Sequence, residues 1–225
     1  MRILVVAAHP DDEVLGCGGT IARLSRSHRV HIGILGEGMT ARYARRQEAD
    51  PRRMRRLQEQ ARRAARELRA SSVAFAGLPD NRFDTVPVLE ITKQVERWLA
   101  RVRPQAVYTH HPGDLNIDHA VTFRAVLAAT RPVNGCGVKE VYAFEVPSST
   151  EWGFQRLEPP FRPSVFTDIS ETLEAKLRAM RAYAGEVRPF PHPRSPSALR
   201  AIAKRWGSVA GVNYAEAFEL IRSVR

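Results

Sequence analysis

The chain of 225 residues has only two cysteines and lacks any long run of apolar residues. Cys17 and Cys136 lie far apart and in no Cys-x-x-Cys pair, which argues against a disulfide framework and a cysteine zinc site. The apolar opening from Ile3 to Ala8 is far shorter than the roughly 18 residues that a membrane span requires. It also lacks the basic segment and cleavage site of a secretory signal peptide. We therefore expect a cytoplasmic protein without a membrane span.

Aromatic residues are also scarce, at 8% of the chain, whereas arginine is abundant. Of the 35 basic residues 31 are arginine, and the formal net charge is +11. Residues 41–70 hold eleven arginines against four acidic residues, and their apolar residues recur at helical spacing. The arginines are therefore expected on the outer face of an amphipathic helix. Because no aromatic residues are interleaved with them, the pattern argues against nucleic acid as a partner and leaves phosphate-bearing small ligands open.

Segments typical of strands and of helices alternate over residues 1–145. We expect helices that end near residues 27, 70, 103 and 130, and strands at 2–8, 29–35, 72–76, 105–109 and 138–144. This alternation predicts an α/β fold, with a mostly parallel sheet and helices on both faces. We expect a single domain over 1–225, in which 146–225 form a C-terminal extension of the core. In the extension we expect a strand at 164–168 and helices at 170–184 and 197–206, whereas 214–222 fits either state.

A polar cluster, residues 9–13, follows the first predicted strand directly and reads His-Pro-Asp-Asp-Glu. In an open α/β sheet, ligands bind beyond the carboxyl ends of the strands. The glycines at 16, 18 and 19 come one turn too late, and at the wrong spacing, for a dinucleotide-binding loop. Three carboxylates and an imidazole are a poor environment for a pyrophosphate, and they favour a metal cation.

A second polar cluster, residues 110–119, follows the fourth predicted strand and ends in Asp118 and His119. In the common strand order 3-2-1-4-5 the first and fourth strands are neighbours, so the two clusters are expected to face each other. His9, Asp12 and His119 then form a set of two imidazoles and one carboxylate with an open position, as in catalytic zinc sites. Asp11 remains free beside the metal to take a proton from water.

Either aspartate at a helix start, Asp12 or Asp118, would by itself be interpreted as a helix cap. Two such clusters at neighbouring strand ends are harder to explain as caps. Together they favour a metal site.

These residues resemble the PIG-L/LmbE family of zinc-dependent N-acetylglucosaminyl deacetylases and related amide hydrolases. The resemblance rests on the segments Ala8–Glu13, Gly16–Gly19 and Asp114–His119, and it extends into the tail at 183–190 and 215–218. It implies a Rossmann-like sheet and Zn²⁺ on His9, Asp12 and His119. It also implies Asp11 as general base and then general acid, with Asp118 supporting a neighbouring polar residue. The same ligand set also suits Fe²⁺ or another divalent metal.

One position departs from the family pattern. Many members carry a histidine, thought to assist the oxyanion, where this chain has Asn116. An asparagine amide can donate a hydrogen bond, but it carries no charge and relays no proton. His110 and His111 are alternative donors.

Substrate contacts are expected from the loops that follow the second and third strands. The candidates are Glu37, Arg56, Asp80 and Asn81, together with His111 in the second cluster. Arg56 also fits an ion pair on the helix face with Glu59, and Asp80-Asn81 also fits a plain turn. In the extension, Trp152 and His192 are candidates for closing the pocket.

The sequence thus predicts a metal-dependent hydrolase that removes the N-acetyl group from an amino sugar or sugar conjugate. The partner would be a small N-acetylated sugar, for which the basic rim would suit a phosphate-bearing form. One alternative is the same chemistry on a nucleotide sugar, a thiol conjugate or an antibiotic precursor. Another is a non-catalytic module that binds an anionic polymer. A homo-oligomer is compatible with the sequence.

Overall fold

The computed structural model describes residues 1–133 and 135–225 of the chain. This part of the chain holds seven strands and six α-helices, which alternate as far as β5. The strands are β1 (Arg2–Ala7), β2 (Arg29–Gly36), β3 (Ser72–Leu78), β4 (Ala106–His110), β5 (Glu140–Phe144), β6 (Val165–Asp168) and β7 (Ala215–Ser223). The helices are α1 (Asp12–Leu24), α2 (Pro51–Glu67), α3 (Val88–Val102), α4 (Ile117–Ala129), α5 (Leu173–Ala182) and α6 (Pro196–Ala210).

The strands form one sheet in the order β3-β2-β1-β4-β5-β7-β6. The first five are parallel, which confirms the predicted order 3-2-1-4-5. β7 pairs antiparallel with both β5 and β6, so the ambiguous segment 214–222 is a strand. The extension therefore adds two strands to the sheet that the first 145 residues begin.

The two faces of the sheet carry separate apolar cores, because successive side chains of a strand point to opposite faces. Ile3 and Val5 of β1 pack among residues of α1, α2 and α5. Leu4 and Val6 pack among residues of α3 and α4 on the other face. Helices thus cover both faces, as predicted. Within the described residues, no helix is both long and apolar enough to cross a membrane.

Helix α1 is kinked at Cys17, where φ is −145°. Just beyond the kink, the backbone N–H groups of Gly19 and Thr20 donate to the buried carboxylate of Glu216 on β7, at 2.9 and 2.7 Å. Lys176 of α5 donates to the same carboxylate at 2.6 Å and to the carbonyl oxygen of Leu15 at 2.8 Å. The extension therefore anchors the helix whose first turn carries Asp12.

Candidate active site

A cavity of about 220 Å³ lies where β1 and β4 end beside each other. It is lined mainly by polar groups from both predicted clusters, from the loops after β2 and β3, and from the extension. They include His9, Asp11, Asp12, Arg42, Asp80, Asn81, Asn116, His119, Ser148, Ser149, Glu186 and Arg194.

The structure brings the three predicted metal ligands together. The Oδ2 atom of Asp12 lies 3.3 Å from Nδ1 of His9 and 3.3 Å from Nε2 of His119. All three side chains are buried, and their ligand atoms lie close enough to hold one ion. Nε2 of His119 has no hydrogen-bond partner among the residues that the structure describes. A buried, unpaired imidazole nitrogen aimed at a carboxylate is what a divalent cation such as Zn²⁺ would satisfy.

Two further carboxylates lie against the imidazoles of this triad, and the one at His9 is hydrogen-bonded to the ring. Nε2 of His9 donates to Oδ2 of Asp118 at 2.9 Å, and Nδ1 of His119 lies 3.0 Å from Oδ1 of Asp114. The opposite nitrogen of each ring therefore faces Asp12. Metal-binding histidines are held in this way by an outer carboxylate, so the donor set and its surroundings both fit a metal ion.

Charge interactions in and around the triad shift the pKa values of its three side chains strongly. Burial lowers the pKa of His119, but the Asp12 and Asp114 carboxylates outweigh it and raise the pKa to about 9. Burial likewise opposes the net shift at His9, whose pKa is raised well above its usual value by Asp118 and Asp12. Burial raises the pKa of Asp12, but His119 and His9 bring it well below its usual value. Without a cation the His119 imidazole holds a proton at neutral pH, which a metal ion would displace.

Asp11 lies beside the triad and at the N-cap of α1. Its backbone φ is +108°, a value that residues other than glycine rarely adopt. Such backbone strain persists only where the surrounding structure enforces it. The side chain is almost completely buried, and Oδ2 accepts a hydrogen bond from Nη1 of Arg194 at 2.7 Å. Burial raises the pKa of Asp11 well above its usual value, and Arg194 offsets part of that rise. The carboxylate is thus a proton acceptor held next to the metal-binding atoms.

Glu13 is hydrogen-bonded to the backbone of Asp11. Its Oε2 accepts from the N–H of Asp11 at 3.1 Å, and its Oε1 accepts from the Tyr183 hydroxyl at 2.6 Å. Burial raises the pKa of Glu13 to about 7.

A guanidinium that the sequence analysis missed spans one side of the cavity. Nε of Arg194 donates to the Ser148 hydroxyl at 2.7 Å, while Nη1 contacts Glu186 at 3.3 Å as well as Asp11. The other Glu186 oxygen accepts from Arg42 at 2.5 Å. The proline-rich stretch 189–196 indicated only a loop, and nothing local in it shows which residue faces Asp11, 183 positions away.

Asn116 caps α4. Its Oδ1 accepts from the N–H of Asp118 at 2.9 Å, and its Nδ2 donates to Oδ1 of Asn81 at 3.0 Å. Asp118 also accepts from the N–H of Phe83 at 2.9 Å. Asp80, 3.4 Å from Nε2 of His9, lines the cavity together with Asn81. Asn116, Asp118, Asp80 and Asn81 were predicted for the site, and the structure places these four residues around the triad.

Three of the predicted substrate contacts lie elsewhere, since none of them lines the cavity within residues 1–133 and 135–225. The Glu37 carboxylate turns inward and accepts from the N–H groups of Met39 and Thr40, because this buried loop needs an acceptor. Arg56 is exposed on α2. His111 hydrogen-bonds through its two ring nitrogens to Glu219 and to the carbonyl oxygen of Pro159.

The other alternative donor, His110, lies behind the triad. Its Nε2 accepts from the N–H of Ala8 at 2.8 Å, and its ring stacks on His119 with centroids 4.0 Å apart. Burial and the nearby His119 lower its pKa well below the usual value. Trp152 and His192 pack ring edge to face, at 5.6 Å, on the two loops that carry Ser149 and Arg194.

Comparisons with known proteins agree with this geometry. The sequence model of the PIG-L family, described as GlcNAc-PI de-N-acetylase, matches residues 4–130. The chain is 27% identical to a diacetylchitobiose deacetylase of Thermococcus kodakarensis, over 99% of this chain and 84% of the relative. It is 30% identical to a 1D-myo-inositol 2-acetamido-2-deoxy-alpha-D-glucopyranoside deacetylase of Mycolicibacterium smegmatis, over 86% and 83% of the two chains. The solved structure of GalB, the 4-carboxy-2-hydroxymuconate hydratase of Pseudomonas putida, superposes with a TM-score of 0.76 at 25% identity, over 100% and 97%.

Proposed function

The chain belongs to the PIG-L family of de-N-acetylases, and from this premise we propose that it hydrolyses the N-acetyl group of an amino sugar or sugar conjugate with the help of Zn²⁺. The observation that carries the proposal is the buried triad of His9, Asp12 and His119 with the free carboxylate of Asp11 beside it. A purely structural metal site has no use for this additional carboxylate.

His9, Asp12 and His119 would hold the ion, with Asp118 and Asp114 orienting the two imidazoles. A bound Zn²⁺ polarises the acyl carbonyl and lowers the pKa of the attacking water. The same donor set accepts Fe²⁺, so the identity of the metal is part of the test.

Asp11 moves the proton in both halves of the reaction. It accepts a proton from water as the new C–O bond forms at the acyl carbon. When the C–N bond breaks, Asp11 returns that proton to the leaving nitrogen, and the products are acetate and a free amine. Asn116 donates an N–H to the carbonyl oxygen, on which negative charge develops.

The size of the cavity bears on the substrate. At about 220 Å³ it is smaller than the roughly 300–1,000 Å³ of sites for drug-sized ligands. We infer that it takes one acetamido sugar, with hydroxyl groups facing Asp80, while the rest of the conjugate lies outside. Arg42 at the rim would favour a phosphate or carboxylate on that outer part.

The test is acetate release from a panel of N-acetylated sugars by zinc-loaded and metal-stripped protein. The panel holds free N-acetylglucosamine, diacetylchitobiose, an inositol-linked form, and nucleotide-linked, thiol-conjugated and lipid-linked forms. We expect release that depends on the metal and is restored by adding it back. Release that is equal in both preparations would overturn the metal-dependent mechanism.

The similarity to a hydratase favours one competing outcome. Arg42 and Arg194 line the cavity and would also suit the carboxylates of an unsaturated acid. Loss of the ultraviolet absorbance of a conjugated dicarboxylate, with no acetate released from any sugar, would assign the protein to hydration instead.

A further inference from the structure

Three side chains between the loop after β3 and the start of α4 form a directed chain of hydrogen bonds. Nδ2 of Asn81 donates to Oδ1 of Asp80 at 3.2 Å. Oδ1 of Asn81 accepts from Nδ2 of Asn116 at 3.0 Å, and Oδ1 of Asn116 accepts from the N–H of Asp118 at 2.9 Å. The chain runs from a carboxylate at the cavity to the first turn of α4.

The orientation of both carboxamides follows from their neighbours. A backbone N–H can only donate, so the atom of Asn116 that faces Asp118 must be the oxygen. A carboxylate accepts, so the atom of Asn81 that faces Asp80 must be the nitrogen. The amide oxygen of Asn81 then points at the amide nitrogen of Asn116, and neither group can flip without losing two hydrogen bonds.

One donor remains unused in this arrangement. The Asn116 nitrogen carries two hydrogens, of which Asn81 takes one. Asn116 lines the cavity together with His9, Asp12 and His119. The second N–H lies on a group at the positive end of α4, which makes it a better donor to developing negative charge.

The backbone of Asn81 adopts an unusual conformation. Its φ is +51°, in the left-handed region that is unfavourable for most residues and that asparagine tolerates better than most. The residue is exposed, so no apolar burial compensates for that conformation. Left-handed residues kept without a packing reason often mark functional sites.

We propose that Asn81 is a positioning residue for Asn116: it takes one hydrogen of the Asn116 carboxamide and thereby directs the other at the acyl oxygen of the substrate. The inference rests on the proposed function for its catalytic consequence. Asn81 acts through Asn116 and need not touch the substrate.

Two substitutions separate this role from a structural one. Asn116→Asp keeps the helix cap, because aspartate caps as well as asparagine, but it removes the N–H donor. We expect kcat to fall by at least a hundredfold, because the donor is lost and the new carboxylate also repels the negative charge on the acyl oxygen, with the melting temperature nearly unchanged. Asn81→Gly fits the left-handed backbone and removes the acceptor, and we expect kcat to fall about tenfold with little change in stability.

The double variant tests whether Asn81 acts through Asn116. If it does, Asn81→Gly has no further effect on kcat once Asn116→Asp is present. If Asn81→Gly lowers kcat by the same factor in both backgrounds, Asn81 acts on the substrate directly and the positioning role is wrong.

A second readout does not depend on turnover. In ¹H–¹⁵N spectra of the metal-loaded protein, the Asn116 side-chain amide is the signal lost in Asn116→Asp. We expect Asn81→Gly to shift one of its two protons upfield as the hydrogen bond disappears. An unmoved pair of protons would overturn the proposal even if acetate is released. If the wild-type protein hydrolyses none of the substrates but Asn81→Gly still shifts the proton, the proposed function is wrong and the hydrogen bond between Asn81 and Asn116 stands.

Discussion

The side chain of Asp11 combines strain, burial and a charged partner at one position. Its backbone φ is positive, and the residue is only 2% exposed. Arg194 donates to one oxygen of its carboxylate at 2.7 Å. Because Asp11 is not one of the three grouped ligands, its removal should separate chemistry from metal binding.

Asp11→Asn is therefore expected to keep Zn²⁺ and lose turnover. Loss of a general acid–base group lowers kcat by about 10²–10⁴-fold. Metal content by atomic spectroscopy and acetate release from the same sample give both quantities. Full activity in this variant would rule out Asp11 as the proton carrier.

Arg194 uses separate nitrogens for two partners, since Nη1 donates to Asp11 and Nε donates to Ser148. Arg194→Lys keeps the charge but loses the fork, so we expect kcat to fall roughly tenfold. Arg200→Lys is the matched control, because Arg200 pairs with Glu174 at an exposed position of the same extension. Equal effects of the two variants on kcat would mean that the Arg194 contact has no part in turnover.

The raised pKa of His119 makes metal binding sensitive to pH. With a pKa of about 9 the free imidazole holds its proton at neutral pH, and the metal ion must displace it. Affinity should therefore fall as pH falls, by about tenfold per unit for each proton displaced. Calorimetric titration with Zn²⁺ in buffers of different ionisation enthalpy counts the protons released. Release of no protons at pH 7 would contradict the protonated state of the free site.

At the scale of elements, a buried ion pair from the extension holds the start of α1. Lys176 and Glu216 are almost completely buried, and Glu216 also accepts two backbone N–H groups at the kink. Removal of one partner leaves a buried charge unpaired, which typically costs about 3–5 kcal/mol.

Lys176→Met is thus expected to lower the free energy of unfolding by about 3 kcal/mol. Arg178 lies on the same helix and forms an exposed ion pair with Glu67. For Arg178→Met we expect the free energy of unfolding to fall by less than about 1 kcal/mol. Urea unfolding of the two variants measures the difference. Similar losses would show that the Lys176 pair contributes no more than a surface contact.

The prediction from sequence succeeded where local pattern and strand order determine the result. Periodicity located the first five strands, and their carboxyl ends brought residues 9–13 and 110–119 together as expected. β7 was ambiguous because residues 214–222 carry apolar side chains at both strand and helix spacing. Only its pairing with β5 and β6 makes it a strand.

At the scale of the whole molecule, the contacts that the C-terminal extension makes with the cavity were the ones that sequence could not predict. Arg194 and Glu186 reach the cavity because the extension folds back over it, and no local periodicity encodes that path. Glu37 lies in the loop where it was predicted, but it does not line the cavity. Its carboxylate accepts hydrogen bonds from backbone N–H groups of the buried loop. Which N–H groups lack a backbone acceptor is known only once the backbone is in place.

The central claim is that one metal ion on His9, Asp12 and His119 activates water for amide hydrolysis. The most direct measurement is acetate release from the N-acetylated sugar panel while metal-free protein is titrated with Zn²⁺. We predict that the rate rises from near zero to a plateau at one Zn²⁺ per chain, and that His119→Gln shows no rise. A rate independent of Zn²⁺, or an unchanged titration in His119→Gln, would contradict the account.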